Sequence, residues 1–479
     1  RFIFHNAGYD LRFIFKYISQ PELIERGKSL LRGYGKFYYG KDKFIRIQIQ
    51  DSYALITSPL RDFKNMFGLE VKKEILPYSL YTQQTVNEGF IDTNKCIEEV
   101  KLQYIKNNIG KEIDIELQKE FVNEYLKNVK DWGCYSEDKK EINILKYSSN
   151  YCKMDCEVLQ SGYNMFRNSI KEITYQSNQT DKDKEKGLYP LDEIFLDINN
   201  YVSIASVAQD YMKYNGVFKN VYEVSGNVRE FINKCMYGGR TMCSQNKKIG
   251  NNQNEVLADF DAVSLYPSAM EQLEGYLQGK PKIIDTFEPD KYDGYFVCIK
   301  VKSIKKEYKF PCVSVLTDEG IRNFNNDLVG EYLYLDKVGL EDFVKYHDAE
   351  YEFINGYYYD DGRNDKIRSV ITHLFNQRLK YKKEKNPIQM VFKELMNSSY
   401  GKSYLKPIDS DSKYVPAKDF DKFMDRNFNY IKEATKLANG LYYKVKYYKA
   451  IDSHFNNAHV GVEILSMSKR IMFEVMTLA

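Results

Sequence analysis

The string Asp259-Phe260-Asp261-Ala262-Val263-Ser264-Leu265-Tyr266-Pro267 carries the sharpest chemical signal in this sequence. The apolar run Val256–Phe260 predicts a strand ending in a carboxylate, and Ser264–Glu274 predicts a helix opened by a Tyr-Pro step. A carboxylate at a strand end can hold a hard cation through oxygen, and amides where a turn enters a helix favour phosphate. The Asp-x-x-Ser spacing equally suits a turn with an N-capping Asp or Ser.

A second string, Lys393-Glu394-Leu395-Met396-Asn397-Ser398-Ser399-Tyr400-Gly401, ends a predicted helix over Pro387–Tyr400. At about 100° per residue, Ile388, Val391 and Leu395 share one side, and Lys393, Asn397 and Tyr400 fall within about 60° on the other. On the preceding predicted helix, Asp365–Lys383, Arg378 and Lys382 are spaced i, i+4 and share a face. Three cations converging between two helices suit a triphosphate, whose transfer depends on positioning and charge neutralisation. A solvated charged face is the other reading of Arg378–Lys385.

These groups need a frame. The first ~165 residues alternate strand-like runs (Phe44–Ile49) with helix-like ones (Lys111–Lys127) and read as an α/β unit. Gln176–Gly187 is a charged linker, and Leu191–Asn215 is predicted as one helix. Short strands follow (Tyr295–Val301, Glu331–Leu335, Tyr351–Tyr359), then the two helices, a Lys/Tyr-rich stretch to about His454, and a terminal helix over Val460–Leu478. The 479 residues suggest about three domains, and 43% hydrophobic with 29% charged residues excludes a disordered chain. A net charge of +3 leaves a local basic channel, not a basic surface, as the route to a nucleic acid. The 42 Tyr and 28 Phe suit base stacking as well as core packing. Eight cysteines without a CxxC pair and five histidines without HxH or HExxH give no reason to expect zinc, and they suggest reduced, intracellular thiols. No run approaches the roughly 18 apolar residues of a membrane helix, so no membrane partner is expected.

DxxSLYP followed about 130 residues later by KxxxNSxYG resembles motifs A and B of family B DNA polymerases, and Arg378-x-x-x-Lys382 resembles their fingers-helix pair. Met236-Tyr237-Gly238-Gly239-Arg240 is similar to the YxGG element that contacts the template strand, with Met236 in place of the usual aromatic. Asn6-Ala7-Gly8-Tyr9-Asp10 and Tyr151-Cys152-Lys153-Met154-Asp155 resemble the second and third exonuclease motifs. The stretch between DxxSLYP and the fingers resembles the insertion of the protein-primed branch, found in phages, adenoviruses, linear mitochondrial plasmids and virus-like transposons. The resemblance implies an α/β (α+β) fold: a ribonuclease-H-like 3′–5′ exonuclease domain, then palm and fingers with two inserts. Its expected boundaries are 1–175 for the exonuclease, 188–274 for the first part of the palm, and 275–363 for the first insert. The fingers take 364–402, the second insert 403–452, and a palm helix 453–479.

What the resemblance implies for the site is as follows. Asp261, with the Ala262 backbone, would bind Mg²⁺ (or Mn²⁺), two ions per active site, and Asp10 and Asp155 would do so for proofreading with Asn6 and Tyr151. Ser264, Leu265, Arg378, Lys382 and Lys393 would hold the triphosphate. Tyr266 would stack on the base and exclude the ribose 2′-hydroxyl, while Asn397 and Tyr400 line the nascent pair. Tyr237, Gly238, Gly239, Arg240 and Gly401 would meet DNA. The partners would be primer-template DNA, deoxynucleoside triphosphates and a terminal protein, at a viral replication site or in a mitochondrion. The Asp-Thr-Asp-Ser hairpin of the family is absent; Ala450-Ile451-Asp452-Ser453 precedes the terminal helix and reads as a turn. Asp114-Ile115-Glu116 matches the first exonuclease motif but follows the second, and reads as helix decoration. With no initial Met and an unfinished last helix, an internal fragment is expected, polymerising and proofreading poorly by itself. A catalytically inactive DNA-binding relic and an RNA-primed family B enzyme are the alternatives.

Overall fold

The computed structural model describes residues 1–26, 29–109, 112–138, 140–177, 193–241, 261–317, 320–404, 410–437, 440–448 and 455–478. The predicted strand Val256–Phe260, most of the predicted linker, and Asp259 and Asp452 lie outside them. The chain forms two compact units, one of Arg1–Leu55, Thr174–Glu384 and Gln389–Ala479, the other of Ile56–Ile173 and Lys385–Ile388.

The first unit opens with a four-stranded sheet of order β1-β4-β3-β2, from β1 (Phe2–Phe4), β2 (Ser19–Arg26), β3 (Ser29–Tyr38) and β4 (Phe44–Asp51). β1 runs parallel to β4, and the other pairs are antiparallel. Helix α1 (Ala7–Ile14) buries Ala7 and Leu11 against Leu30, Ile47 and Ile49.

The predicted helix over Leu191–Asn215 is shorter than expected. Glu193–Ile194 pairs as a strand with Gln176–Ser177, Ile198–Asn200 makes one 3-10 turn, and α2 spans only Ile204–Tyr214. Local and tertiary partners take the backbone groups a longer helix would need. The Asp197 carboxylate accepts from the Asn199 amide at 3.1 Å, and the Tyr201 carbonyl accepts from Arg32 at 2.7 Å and Gln50 at 3.1 Å.

Helix α3 (Leu265–Gln272) leads into the segment expected as the first insert, where β5 (Gly294–Ile304) pairs antiparallel with β6 (Tyr332–Asp336) and β7 (Ala349–Tyr359), around α4 (Lys337–His347). β5 is buried on both faces, which explains its unbroken apolar run. Tyr295, Val297, Ile299 and Val301 pack with Leu340 and Phe343 of α4, whereas Phe296 joins Leu277, Tyr359, Ala458 and Val462. Then come α5 (Lys366–Lys383), α6 (Gln389–Ser398), the short α7 (Gly401–Tyr404), and a second sheet of order β8-β10-β9 from β8 (Ser410–Pro416), β9 (Ile431–Lys436) and β10 (Tyr442–Tyr448). Helix α8 (Ala458–Met476) is buried on every side from Ala458 to Ser468, as an apolar helix inside a core must be.

The second unit packs helices Thr93–Asn107, Ile115–Asp131 and Ile144–Thr174 around Val100, Val122, Tyr125, Val129 and Tyr147, beside a small three-stranded sheet. Asp114 caps the helix Ile115–Asp131, accepting from the amides of Glu116 and Leu117 at 2.9 and 3.1 Å.

Candidate functional site

Ser264, just before α3, has φ 50° and ψ 52°, a left-handed backbone that a non-glycine residue rarely adopts. Neighbouring bonds hold it there. The Ser268 amide donates to the Ser264 carbonyl at 2.9 Å, the Ser268 hydroxyl donates to the Val263 carbonyl at 3.2 Å, and Arg378 Nη1 of α5 donates to Ser264 Oγ at 3.1 Å. At the second residue of α3, the Tyr266 ring stacks on Tyr400 with centroids 4.4 Å apart and planes 28° from parallel. Tyr400 lies where the chain leaves α6 for α7, a break made by two hydroxyls that turn back to carbonyls. Ser399 donates to Met396 and Ser403 to Tyr400, each at 2.6 Å.

The cations expected around this point are unspent. Arg378 Nε is buried without a partner, and no carboxylate among the described residues pairs with Arg378, Lys382 or Lys393. Lys393 is half-buried, and Lys382 and Asn397 are exposed. α6 buries Val391, Phe392, Leu395 and Met396, a wider stripe than predicted, and the Tyr381 and Phe392 rings stack at 5.5 Å between α5 and α6. Ile388 is half-buried and belongs to the second unit. Gly401 abuts α2: a Cβ there would lie 3.6 Å from that of Ala205.

Asp261 is exposed, with Ala262 half-buried beside it. The two metal ions implied by the resemblance need a set of carboxylates, yet no group of three or more His, Cys, Asp or Glu among the described residues could hold a metal ion. On the expectation above, Asp261 would be one ligand of a set that the described residues do not complete.

Tyr237, Gly239, Arg240, Leu265 and Tyr266 line one cavity of about 230 Å³, so the YxGG-like and SLYP elements meet. Within it the Tyr237 side chain is not open to a DNA strand. It is 7% exposed, with Lys469 Nζ 3.3 Å and the Arg322 guanidinium 4.3 Å from its ring centroid. Burial, resisted by Asp336, holds the Lys469 ammonium down to about 8. Arg240 donates to the Pro311 carbonyl at 2.6 Å and lies over Phe324. The open part of this element is the backbone at Gly238 and Gly239, where a Cβ would meet nothing within 4 Å.

Asn6 and Asp10 belong to the first unit. Asn6 precedes α1 with φ 72°, and its amide and that of Ala7 donate to the two oxygens of buried Asp51 at 2.9 and 3.0 Å. Burial, with the nearby Asp51 charge, raises the Asp10 carboxyl above its usual range. In the second unit, Tyr147, Tyr151 and Asp155 form an i, i+4, i+8 stripe on the helix Ile144–Thr174, gripping the loop before Tyr78. Tyr147 donates to the Ile75 carbonyl at 2.7 Å, and Lys73 Nζ reaches Tyr151 Oη and Asp155 Oδ2, both at 2.5 Å. Tyr78 Oη lies 2.8 Å from Tyr151 Oη. Asp155 Oδ1 is buried with no partner, and Tyr151 is raised by burial and by its bond to Tyr78. Sequence reading missed Lys73 and Tyr78. The loop Val71-Lys72-Lys73-Glu74-Ile75-Leu76-Pro77-Tyr78 carries no motif by itself, and only the fold brings it to Asp155.

Residues 1–474 match the family described as DNA polymerase type B, organellar and viral. The chain is 21% identical over 417 residues to a DNA polymerase of Kluyveromyces lactis, covering 84% of this chain and 37% of that protein. Over 36 residues it is 57% identical to a DNA polymerase of Acidianus bottle-shaped virus, covering 8% of this chain and 6% of the relative. It therefore spans well under two thirds of the length of these relatives. Its fold is similar to Phi29 DNA polymerase, with a TM-score of 0.57 to the orthorhombic crystal form and 0.55 to the post-translocation complex with primer-template DNA. Each match covers 99% of this chain and 68% of the other, at 14% identity. The fold is thus that of a family B polymerase, with exonuclease, palm and fingers elements. Since the family match runs from β1 into α8, through both motif-bearing strings, the chain belongs to the type B DNA polymerases of organelles and viruses.

Proposed function

We propose that this chain carries the nucleotide-selecting part of a template-directed, protein-primed DNA polymerase, with elements of a 3′–5′ proofreading exonuclease. The observation that carries the reading is the convergence of Ser264, Tyr266, Arg378 and Tyr400 from three separate elements, with the Arg378 Nε donor left unpaired. A triphosphate fits there against Arg378, Lys382, Lys393 and the backbone of Ala262–Leu265. The Tyr266–Tyr400 stack is a floor for the base, and the bulk of Tyr266 opposes a ribose 2′-hydroxyl. Asn397 sits beside the nascent pair, and the Gly238–Gly239 and Gly401 backbones offer close approach to a strand, with Arg240 alongside. Phi29 polymerase, similar in fold, has been captured with primer-template DNA and incoming nucleotides. By extension those are the partners here, with a terminal protein at the inserts.

Asp261 at one site, and Asp10 and Asp155 at the other, are the carboxylates this chain would contribute to Mg²⁺. Binding and orientation are the steps its own residues perform. Asn6 and Asp10 of the first unit, and Tyr151 and Asp155 of the second, are the residues carried forward for proofreading, with Lys73 beside Tyr151 and Asp155.

Nucleotide binding by the full chain tests the reading. Deoxynucleoside triphosphates should bind, and Lys393→Ala should weaken them about tenfold, the loss of one charged contact; equal affinity in the variant would overturn it. Primer extension by the chain alone should be weak, since no Asp-Thr-Asp occurs in it. Covalent protein–deoxynucleotide formation by the whole polymerase separates protein from RNA priming.

A further inference from the structure

Another pocket, of about 380 Å³, opens at the start of α8 and is lined by Lys213, Gly216, Phe218, Lys219, Glu223 and Asn457, among others. Asn457, the residue before the helix, is 2% exposed, and its Nδ2 donor has no partner. Its side chain makes no cap, and the first-turn amides of Ala458, His459 and Val460 have no acceptor among the described residues. Of this helix start it is Asn457 that lines the pocket, with its unpartnered donor at the positive end of a 19-residue helix.

The opposite wall has used its acceptors. The carbonyls of Gly216 and Lys219 accept from Asn364 Nδ2 at 2.9 and 3.0 Å, Gln278 also donates to Lys219 at 3.3 Å, and the Phe218 carbonyl accepts from the Val221 amide at 3.2 Å. Lys213 and Lys219 line the pocket, and Lys402 is close enough for Lys213 to disfavour its charge, after burial. Against these three cations stand Glu223 and Asp210, the latter 4.0 Å from Lys213. Three cations against two carboxylates leave a positive balance, which selects an anion over a cation.

We propose that this pocket is a phosphate site, separate from the triphosphate site at Ser264 and Arg378, taking either inorganic phosphate or a phosphodiester of a nucleic-acid backbone. Four acceptor oxygens on one tetrahedral group can meet the Asn457 donor and the two lysines from different directions better than a planar carboxylate does.

The test uses the full chain with inorganic phosphate, with acetate at matched ionic strength, and with a fluorescent single-stranded oligonucleotide. Asn457→Asp replaces the buried donor by a negative oxygen of nearly the same size, and Lys219→Glu reverses an exposed charge. Phosphate, but not acetate, should raise the unfolding temperature of the wild type. Both variants should bind phosphate at least tenfold more weakly with unchanged circular dichroism. Lys393→Ala, which reads the proposed triphosphate site, should leave phosphate binding intact, so the two readings fail separately. A parallel loss of oligonucleotide affinity in both variants identifies the backbone phosphodiester, and an unchanged oligonucleotide affinity identifies free phosphate. An equal response to acetate, phosphate binding undiminished in Lys219→Glu, or its loss in Lys393→Ala overturns the proposal.

Discussion

Arg378 reaches across 114 positions of sequence to donate to the hydroxyl of Ser264 at 3.1 Å. The bond joins a left-handed turn to the middle of a long helix, and it points a guanidinium with a spare Nε at the place where the Tyr266 and Tyr400 rings stack.

Arg378→Lys should therefore behave unlike a conservative change. An ammonium cannot reproduce the planar fork, so deoxynucleotide affinity should fall about fivefold to tenfold, equivalent to roughly 1–1.4 kcal/mol. Titration calorimetry on both proteins checks this, and identical affinities would separate Arg378 from the nucleotide.

Tyr266→Val should narrow the gap between deoxy- and ribonucleotide binding. Removing the ring opens space beside the sugar and removes its stacking partner, so deoxynucleotides should bind more weakly while ribonucleotides lose less. Competition between dATP and ATP for the same chain gives the ratio; an unchanged ratio would assign the ring to packing alone.

Lys73 serves Tyr151 and Asp155 together, in a setting only about a quarter exposed. Lys73→Ala should cost about 1–2 kcal/mol of stability in the second unit, the worth of a charge-assisted bond discounted for partial exposure. Urea unfolding followed through Trp132, which lies in that unit, reads the loss. Lys73→Met should be nearly as unstable, and recovery of stability in Met would show that the charge does not matter.

The buried pair Arg363–Glu463, at 2.7 Å with Glu463 1% exposed, makes a stronger prediction. Arg363→Met strands a buried carboxylate and should cost about 3–5 kcal/mol, whereas pairing it with Glu463→Leu should recover most of that. Chemical unfolding of the single and double variants decides between a paired role and a purely packing one.

His459 should shape the acid limb of stability. Its fully buried imidazole lies over Tyr359 at 5.3 Å, and burial, then the Arg363 charge, hold its pKa down to about 3 from 6.5. Between those values the unfolded chain binds more protons than the folded one, so this residue's contribution falls as pH falls from about 6.5 towards 3. Glu463 and Asp336, raised by burial, act in the opposite sense. His459→Phe keeps the stack and should flatten the wild-type slope in urea midpoints taken at pH 7, 5 and 4; an unaltered slope would exclude His459.

The helices around the nucleotide site were legible because their order is local and periodic. The Asp365–Lys383 helix begins one residue late, and the terminal helix spans Ala458–Met476 against an expected Val460–Leu478. The strand pattern of β5 to β7 was equally plain. What could not be read is set by distant partners. Tyr201 gives its carbonyl to Arg32 and Gln50, so the expected helix begins late. Tyr237 looked like a surface contact until Arg322 and Lys469, from the insert and the last helix, enclosed its ring. Lys73 has no motif, and its meaning lies in a helix that starts at Ile144.

The first insert leaves and returns through one seam. Tyr276–Leu277 pairs with Arg363–Asn364, and Arg363 also bonds the carbonyls of Gly275 and Asp293. Geometrically, a short bridge across that seam could replace everything between. Yet Phe296 and Tyr359 from inside the insert cover Ala458 and Val462 of α8. Excising the segment would bare a greasy flank on α8 and remove the Arg363 counterion of Glu463 if the cut took that residue. The insert can be detached on paper without stretching the chain, but a trimmed polymerase would need new apolar cover for α8 before it folded.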